Sequence, residues 1–388
     1  MRPLEGITVV ALEQVIAGPF ATRQLAELGA RVIKIERPGA GDASRSYDRT
    51  VQGLSSHFVW TNRSKESLGL DVKHPAAKEI IARLVARADV FLQNLAPGAA
   101  ERLGLGAAQL RQRHPRLIWC GISGYGPEGP YAQKKAYDLL VQCEAGLLSV
   151  TGTPEVPAKA GIPVADIAAG MYAFSSVLAA LLRRARTGEG ATLDITMFEA
   201  LGEWMGFPAY FTGYGGSAPP RSGAYHATIV PYGPFRAGDG GTVFLSIQNE
   251  REFARFCEQV LRKPGLAADP RFACGPARQQ NREAMHAEID AVFGKLESPY
   301  ERAYYTGIAW ERYAKAQLAE GIGPGAHHAF HRALELFEEA EELAANKDPD
   351  PILRWNRVVR ELSTHPLLRI EEDRAPESEM DFGDGPPS

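Results

Sequence analysis

Cysteine is scarce in this chain, and the little there is stands apart. Cys120, Cys143, Cys257 and Cys274 form no CxxC pair and no close framework, which excludes a disulfide-stapled fold and suits a reducing cytoplasm. Positive charge is not in surplus either: 43 Lys and Arg stand against 47 Asp and Glu. A formal net charge of -4 gives no basic footprint, so no nucleic-acid partner is expected. The amino terminus, MRPLEGITVVALEQ, lacks the long apolar run of a secretory leader. No stretch reaches the uncharged length of a membrane span. The nearest, Ile167 to Leu182, ends in arginines and is expected to be a buried helix, so no membrane partner is expected. There is no GxSxG, so a Ser/His/Asp hydrolase finds no support.

What remains is ample for a globular enzyme: 388 residues, 45% of them hydrophobic, enough for two or more cores. Gly6 to Glu13 (GITVVALE) is a nearly continuous apolar run, the mark of a strand buried on both faces. A helix over Gly18 to Leu28 and a strand over Arg31 to Glu36 complete a βαβ unit. Leu68 to Val72, Val90 to Gln93 and Leu117 to Ile122 read as further strands, with helices from Pro75 through Ala88 and around Arg102. Five β-like runs alternating with helices predict an α/β fold with a doubly wound, Rossmann-like parallel sheet over residues 1–204. Residues 205–296 read as a linker, Gly206 to Gly233, and a smaller α+β domain with a strand at Thr242 to Ser246 and helices at Glu250 to Val260 and Asn281 to Phe293. Residues 297–365 read as a helical segment. Ser298 caps a helix to Glu320, Gly321 to Gly325 turn the chain, and helices follow at Ala326 to Ala345 and from Asp350 to Leu362. Residues 366–388 form an acidic tail expected to be disordered.

The chain is organised around Gly161 to Ala200, GIPVADIAAGMYAFSSVLAALLRRARTGEGATLDITMFEA. Asp166 stands where an N-cap belongs, Arg183, Arg184 and Arg186 crowd the last turn, and Gly188 supplies the stop. Ala191 to Met197 then alternates like a strand. As a cap, Asp166 is ordinary. As a nucleophile, it is a carboxylate that the helix dipole would keep ionised, beside N–H groups able to receive an oxyanion. Local sequence leaves both readings open.

Several other patterns resemble sites. Gly124-Tyr125-Gly126-Pro127-Glu128-Gly129 matches GxGxxG, but Pro127 and Pro130 remove the donors and helix start that a pyrophosphate needs. Glu36 ends a strand as a ribose-binding acid would, yet without the glycines it reads as structural. His327, His328, His331 and Glu335 share a helix face, more in keeping with solvated histidines than with a metal. Arg37, Asn94, Arg102 and Lys135, with Tyr137, fall at successive strand ends, where they could hold a phosphorylated nucleotide such as coenzyme A.

Five runs in consistent order carry a resemblance: AGPFATRQLAELGARVIKIERPGAGD, NRSKESLGLDVKHP, NLAPGAAERLG, GYGPEGPYAQKKAYDLLVQCEAG, and Asp166 with its helix. Over residues 3–296 the chain resembles the class III CoA-transferases, the CaiB/BaiF and formyl-CoA transferase group. The resemblance implies a CoA-transferase whose nucleophile is Asp166 and whose CoA site is lined by Ile16, Arg37, Leu70, Asn94, Leu95, Arg102, Lys135 and Tyr137. It implies acyl-CoA and carboxylic acid substrates, with small dicarboxylates foremost, no metal, no cofactor beyond coenzyme A itself, and a homodimer. Ile16 stands where formyl-CoA transferases place Gln, which disfavours formyl and oxalyl chemistry. Tyr137 stands where the related acyl-CoA racemases place a His, which disfavours racemisation. The alternatives are a 2-methylacyl-CoA racemase or epimerase and a non-catalytic CoA-binding scaffold. Residues after Leu296 do not match the family.

Overall fold

Val9 and Val10 frame the sheet. Neighbours in β1 (Thr8–Leu12), they point to opposite faces, and both are fully buried. Val9 joins Val32, Val90 and Ile118 in one apolar cluster; Val10 joins Ile35, Phe91 and Trp119 in another. A strand covered on both faces has no need of polar alternation, which is why β1 reads as a continuous apolar run. The structure is a computed structural model that describes residues 2–238, 240–293, 299–319, 321–344 and 349–368. The chain divides into two compact units, residues 1–223 and 224–388.

In the first unit β1 is joined by β2 (Arg31–Glu36), β3 (Glu66–Gly69), β4 (Val90–Gln93), β5 (Ile118–Ser123) and β6 (Ala191–Thr196). All pairs are parallel, and the strand order is β3-β2-β1-β4-β5-β6. The order reverses between β1 and β4, so a crevice opens beyond their carboxyl ends, where such sheets take ligands. The connecting helices are α1 (Ala17–Glu27), α2 (Ser56–Asn62), α3 (Ala77–Val85), α4 (Ala99–Arg102), α5 (Ala107–Arg113), α6 (Asp138–Glu144), α7 (Leu147–Val150) and α8 (Val164–Thr187). Helices α1 and α8 cover the Val9 face, α3 and α5 the Val10 face.

The long helix α8 is apolar enough to cross a membrane by length and composition. Its Ala165, Ala168, Ala169, Ala173 and Val177 are instead fully buried in the Val9 cluster. Gly170 lets it approach α1 closely, since a Cβ there would sit 2.8 Å from the Ala17 carbonyl oxygen. Gly188 ends it with φ at +78°. Arg184 departs from the expected role of exposed cation at the helix end. It turns inward and donates to Asp89 Oδ1 at 2.8 Å and to the carbonyls of Asp89 and Arg116 at 3.3 Å, tying the end of α8 to the amino edge of β4 and β5.

Three elements differ from expectation. The third strand is Glu66–Gly69 rather than Leu68 to Val72: it is an exposed edge strand, and Leu70 and Val72 pack on the Val10 cluster as loop residues. Beyond α9 (Met197–Trp204), the expected linker contains α10 (Gly206–Gly215), whose glycines and proline mask a helix that has no buried residue. The expected linker also reaches into β7 (Tyr232–Arg236), obscured by Gly233 and Pro234, which pairs antiparallel with β8 (Thr242–Ser246). Proline is tolerated in this small two-stranded sheet because neither strand is central.

The second unit wraps β7 and β8, α11 (Glu250–Arg255), α12 (Gly275–Gln280) and α13 (Arg282–Phe293) around Phe235, Phe253, Phe272, Met285 and Ile289. Helices α14 (Pro299–Ala319), α15 (Gly323–Leu343) and α16 (Asp350–Thr364) build a separate core of Phe330, Ala333, Phe337 and Val358. Glu311 is buried there and pairs with Lys315 at 2.5 Å and Arg354 at 3.0 Å. The tail expected over 366–388 starts as an ordered turn, Pro366–Leu368, whose Leu368 is buried in this core; the Ser298 cap, Glu320, Ala345 and residues 369–388 lie outside the described residues.

Candidate active site

Asp166 is the third residue of α8 and not its cap, because the helix begins at Val164 with Pro163 before it. Asp138, the first residue of α6, takes the capping role: its Oδ1 accepts the Ala165 N–H at 2.8 Å while Gln142 donates to its Oδ2 at 2.6 Å. The Asp166 carboxylate is therefore free of capping. Burial pushes it up to about 7, the charge of Asp138 adds to the rise, and a hydrogen bond from the Ala17 backbone N–H opposes both. The expectation that the helix dipole keeps Asp166 strongly ionised is thus corrected, since desolvation outweighs it.

Ala17 opens α1, whose N-cap position, Ile16, offers no side-chain cap. The loop before it is held from two sides. Asn94, just after β4, accepts the Gln14 N–H and donates to the Gln14 carbonyl, both at 2.8 Å. Asp42, in the loop after β2, accepts the Val15 N–H at 3.0 Å, and Val15 sits in the left-handed region with φ at +66°. A β-branched residue rarely adopts that conformation, and such outliers cluster where geometry matters. Tyr47 belongs to the same neighbourhood: burial raises its hydroxyl, helped by the negative charges of Asp42 and Asp166 and by Tyr137.

The residues expected to line a CoA site follow the sheet edge. Ile16 comes after β1, Arg37 after β2, Leu70 after β3, Asn94 and Leu95 after β4, and Lys135 and Tyr137 in the segment between β5 and α6. Arg37 and Lys135 are exposed, and Tyr137 is 63% exposed, a large ring left open to solvent. Ile16 is buried, and Asn94 spends its amide on Gln14. Arg102 stands further out, at the end of α4. It lines a cavity of about 330 Å³ with Lys78, Arg113 and His114 over Ile81 and Leu110, and Asp166 is not among its walls. Sequence reasoning missed Asp42, Tyr47 and the capping function of Asp138, all of which depend on distant contacts.

The decoys resolve differently. After β5, Gly126 and Gly129 take φ of +91° and +87°, and the chain turns and wanders to Tyr137 instead of opening a helix. Glu36 is structural, as expected. Burial works to raise it, but hydrogen bonds from Arg45, Ser67 and the Asp42 N–H hold it at about 2. The His327 and His331 rings lie tilted against each other with centroids 4.5 Å apart, and among the described residues no group of three or more His, Cys, Asp or Glu could hold a metal.

A doubly wound sheet with a half-buried carboxylate near the start of α1 is the architecture of α/β enzymes that take their ligands beyond the carboxyl ends of the strands. The model of CoA-transferase family III matches residues 4–303, and the chain belongs to that family. It is 36% identical over 297 residues to succinyl-CoA:glutarate CoA-transferase of Mus musculus, covering 76% of this chain and 68% of that protein. It is 37% identical over 295 residues to acetyl-CoA:oxalate CoA-transferase of Acetobacter aceti, covering 76% and 75%. Among solved structures, a CaiB/BaiF family protein from Brucella suis superposes with a TM-score of 0.66 at 34% identity, covering 76% of this chain and 78% of that one. The chain is a CoA-transferase, and its last 85 or so residues fall outside the family match.

Proposed function

We propose that the enzyme moves coenzyme A from an acyl-CoA donor to a small carboxylic acid, foremost a dicarboxylate, through an aspartyl-CoA intermediate on Asp166. The supporting observation is a half-buried carboxylate at the start of α8, relieved of capping by Asp138 and set close to the start of α1 beside the switch-point crevice. Ionised Asp166 attacks the donor thioester carbonyl; the C–S bond breaks, CoA thiolate leaves, and a mixed anhydride remains. The thiolate then attacks the Asp166 carbonyl of the anhydride, releasing the donor acid as its carboxylate and leaving aspartyl-CoA. The acceptor carboxylate runs the same two steps in reverse, regenerating Asp166. No net proton is consumed, and CoA is carried as substrate with no further cofactor.

Each tetrahedral intermediate puts negative charge on a carbonyl oxygen, and backbone N–H groups at the start of α1 are suited to receive it, at about 3 kcal/mol per donor. Arg37, Arg102 and Lys135 supply charge for the CoA phosphates, while Ile16, Leu70, Asn94, Leu95 and Tyr137 line the rest of its path. Relatives named for succinyl-CoA and glutarate support a dicarboxylate preference. The active form is proposed to be a cytoplasmic homodimer. The test is an exchange assay with a panel of acyl-CoA donors and acids, read as new acyl-CoA. Asp166→Ala should abolish exchange and leave CoA binding largely intact; exchange at the wild-type rate in that variant would refute the nucleophile.

A further inference from the structure

Asp42 is 2% exposed and touches no solvent that a substrate could displace. Its carboxylate gathers donors only. Val15 N–H lies at 3.0 and 3.1 Å from its two oxygens, the N–H and hydroxyl of Ser44 both at 2.9 Å, and the Lys34 ammonium at 2.5 Å. Lys34 is as buried, at 1%, and also donates to Asn62 Oδ1 at 2.8 Å. Buried ion pairs of this kind add little net stability, because desolvation cancels most of the attraction, and their use lies in fixing one conformation. The conformation fixed here is that of Val15. With Gln14 clasped by Asn94 on one side, the Asp42 contact holds a β-branched residue at φ +66°, and two residues later Ala17 opens α1, packed so closely on α8 that a Cβ at Gly170, one turn beyond Asp166, would lie 2.8 Å from its carbonyl oxygen, with its N–H acting to lower the Asp166 carboxyl. Were Val15 to relax to negative φ, the following peptide planes would rotate and that N–H would turn away.

Building on the transferase reading, we propose that Asp42 is a positioning residue for the reaction: it holds Val15 in the left-handed conformation and thereby aims the start of α1 at Asp166. Lys34 on β2 faces Asp42, with Glu13 at 4.0 Å from Lys34 and Lys65 bonded to Glu13 at 2.7 Å; Glu36 accepts the Asp42 N–H at 2.9 Å, and Arg45, paired with Glu36, also lies within electrostatic reach of Asp42. Asp138 on α6, Tyr47 and Tyr137 stand around Asp166.

The test uses Asp42→Asn, in which an amide must face a donor, alone and combined with Val15→Gly, since glycine adopts positive φ without strain. Asp42→Asn should lower kcat by about 10- to 100-fold, less than the roughly 100- to 1,000-fold of deleting an oxyanion donor because the N–H is misaimed and not removed, with the KM for acyl-CoA changed by less than about threefold. The double variant should regain most of that loss. The Asp166 carboxyl, followed by carbon-13 NMR against Asp166→Asn, should titrate at higher pH in Asp42→Asn and return in the double variant. That readout needs no turnover, so it decides this inference even if no donor–acceptor pair is found and the transferase reading falls. If Asp42→Asn melts earlier but keeps its kcat and the Asp166 titration, Asp42 is only structural and the proposal is overturned. Failure of Val15→Gly to rescue overturns it equally. Should Asp42→Asn not fold, the double variant is compared with Val15→Gly alone: equal turnover supports the proposal, and lower turnover in the double variant overturns it.

Discussion

A carboxyl group that titrates at about 7 in the folded chain and near 3.8 when unfolded makes pH a direct probe of Asp166. Between those values the native state holds the extra proton, so this group's contribution to stability falls as pH rises through the window and is lowest above about 7. Asp166→Asn should therefore stabilise the protein at pH 8, by on the order of 2–4 kcal/mol, and give no gain below about pH 4. Paired thermal melts of the two proteins at those pH values check it. Catalysis has the opposite sense, because the ionised form attacks: kcat/KM should fall as pH drops through about 7, and a flat profile there would detach Asp166 from the chemistry. Asp166 drew notice in the sequence because a lone acid opens an apolar helix, but its local residues did not separate a cap from a nucleophile, and only the family resemblance favoured the second. The roles of Asp138 and Asp42 were not legible at all, since each acts on a backbone N–H 27 residues away. Only the folded chain brings them there.

Among the elements, the two ends of α8 divide the labour. The Asp166 end faces the crevice; the Arg184 end is bolted to Asp89 below the sheet. Arg184→Met should lower stability by about 2–4 kcal/mol, by stripping a partner from a half-buried carboxylate. It should leave kcat unchanged, and a comparable loss in turnover would show that the two ends are coupled. Gly170→Ala tests the other end. The new methyl would meet the Ala17 carbonyl at 2.8 Å and Phe20 at 2.9 Å, and the backbone atom cannot swing aside. The expected result is a loss of activity of about 10-fold or more as α1 and α8 part, since small misplacements at a reacting centre are costly. Normal turnover in Gly170→Ala would mean that close approach is unnecessary. Legibility at this scale followed burial. Strands β1, β2, β4 and β5, covered on both faces, stood out as apolar runs, whereas edge strand β3 lacked one and glycine and proline hid α10 and β7.

For the molecule as a whole, the first unit leaves many large apolar side chains exposed. Leu139 and Leu140 on α6, Met171 and Leu182 on α8, Trp204 on α9, and Phe207, Tyr210 and Tyr214 on α10 are all exposed, Tyr214 by 89%. Exposure on that scale marks an interaction face. Light scattering should find a dimer, and charged residues at Tyr210 and Tyr214 should dissociate it; a monomeric wild type would remove the proposed assembly. The helices from α14 onward have a core of their own, so a chain ending at Leu296 should keep the first unit's melting temperature within a few degrees. Aggregation of that fragment would show that those helices are required. The parallel fold was legible in the sequence because its strands are local apolar runs, but assembly was not, because it depends on which side chains the fold leaves outside. The most direct measurement is intact-protein and peptide mass spectrometry after incubation with acyl-CoA, with and without hydroxylamine. The expected result is a CoA adduct on Asp166, converted by hydroxylamine to the Asp166 hydroxamate and absent in Asp166→Asn; transfer proceeding at full rate with Asp166 unmodified throughout would contradict covalent catalysis by this residue.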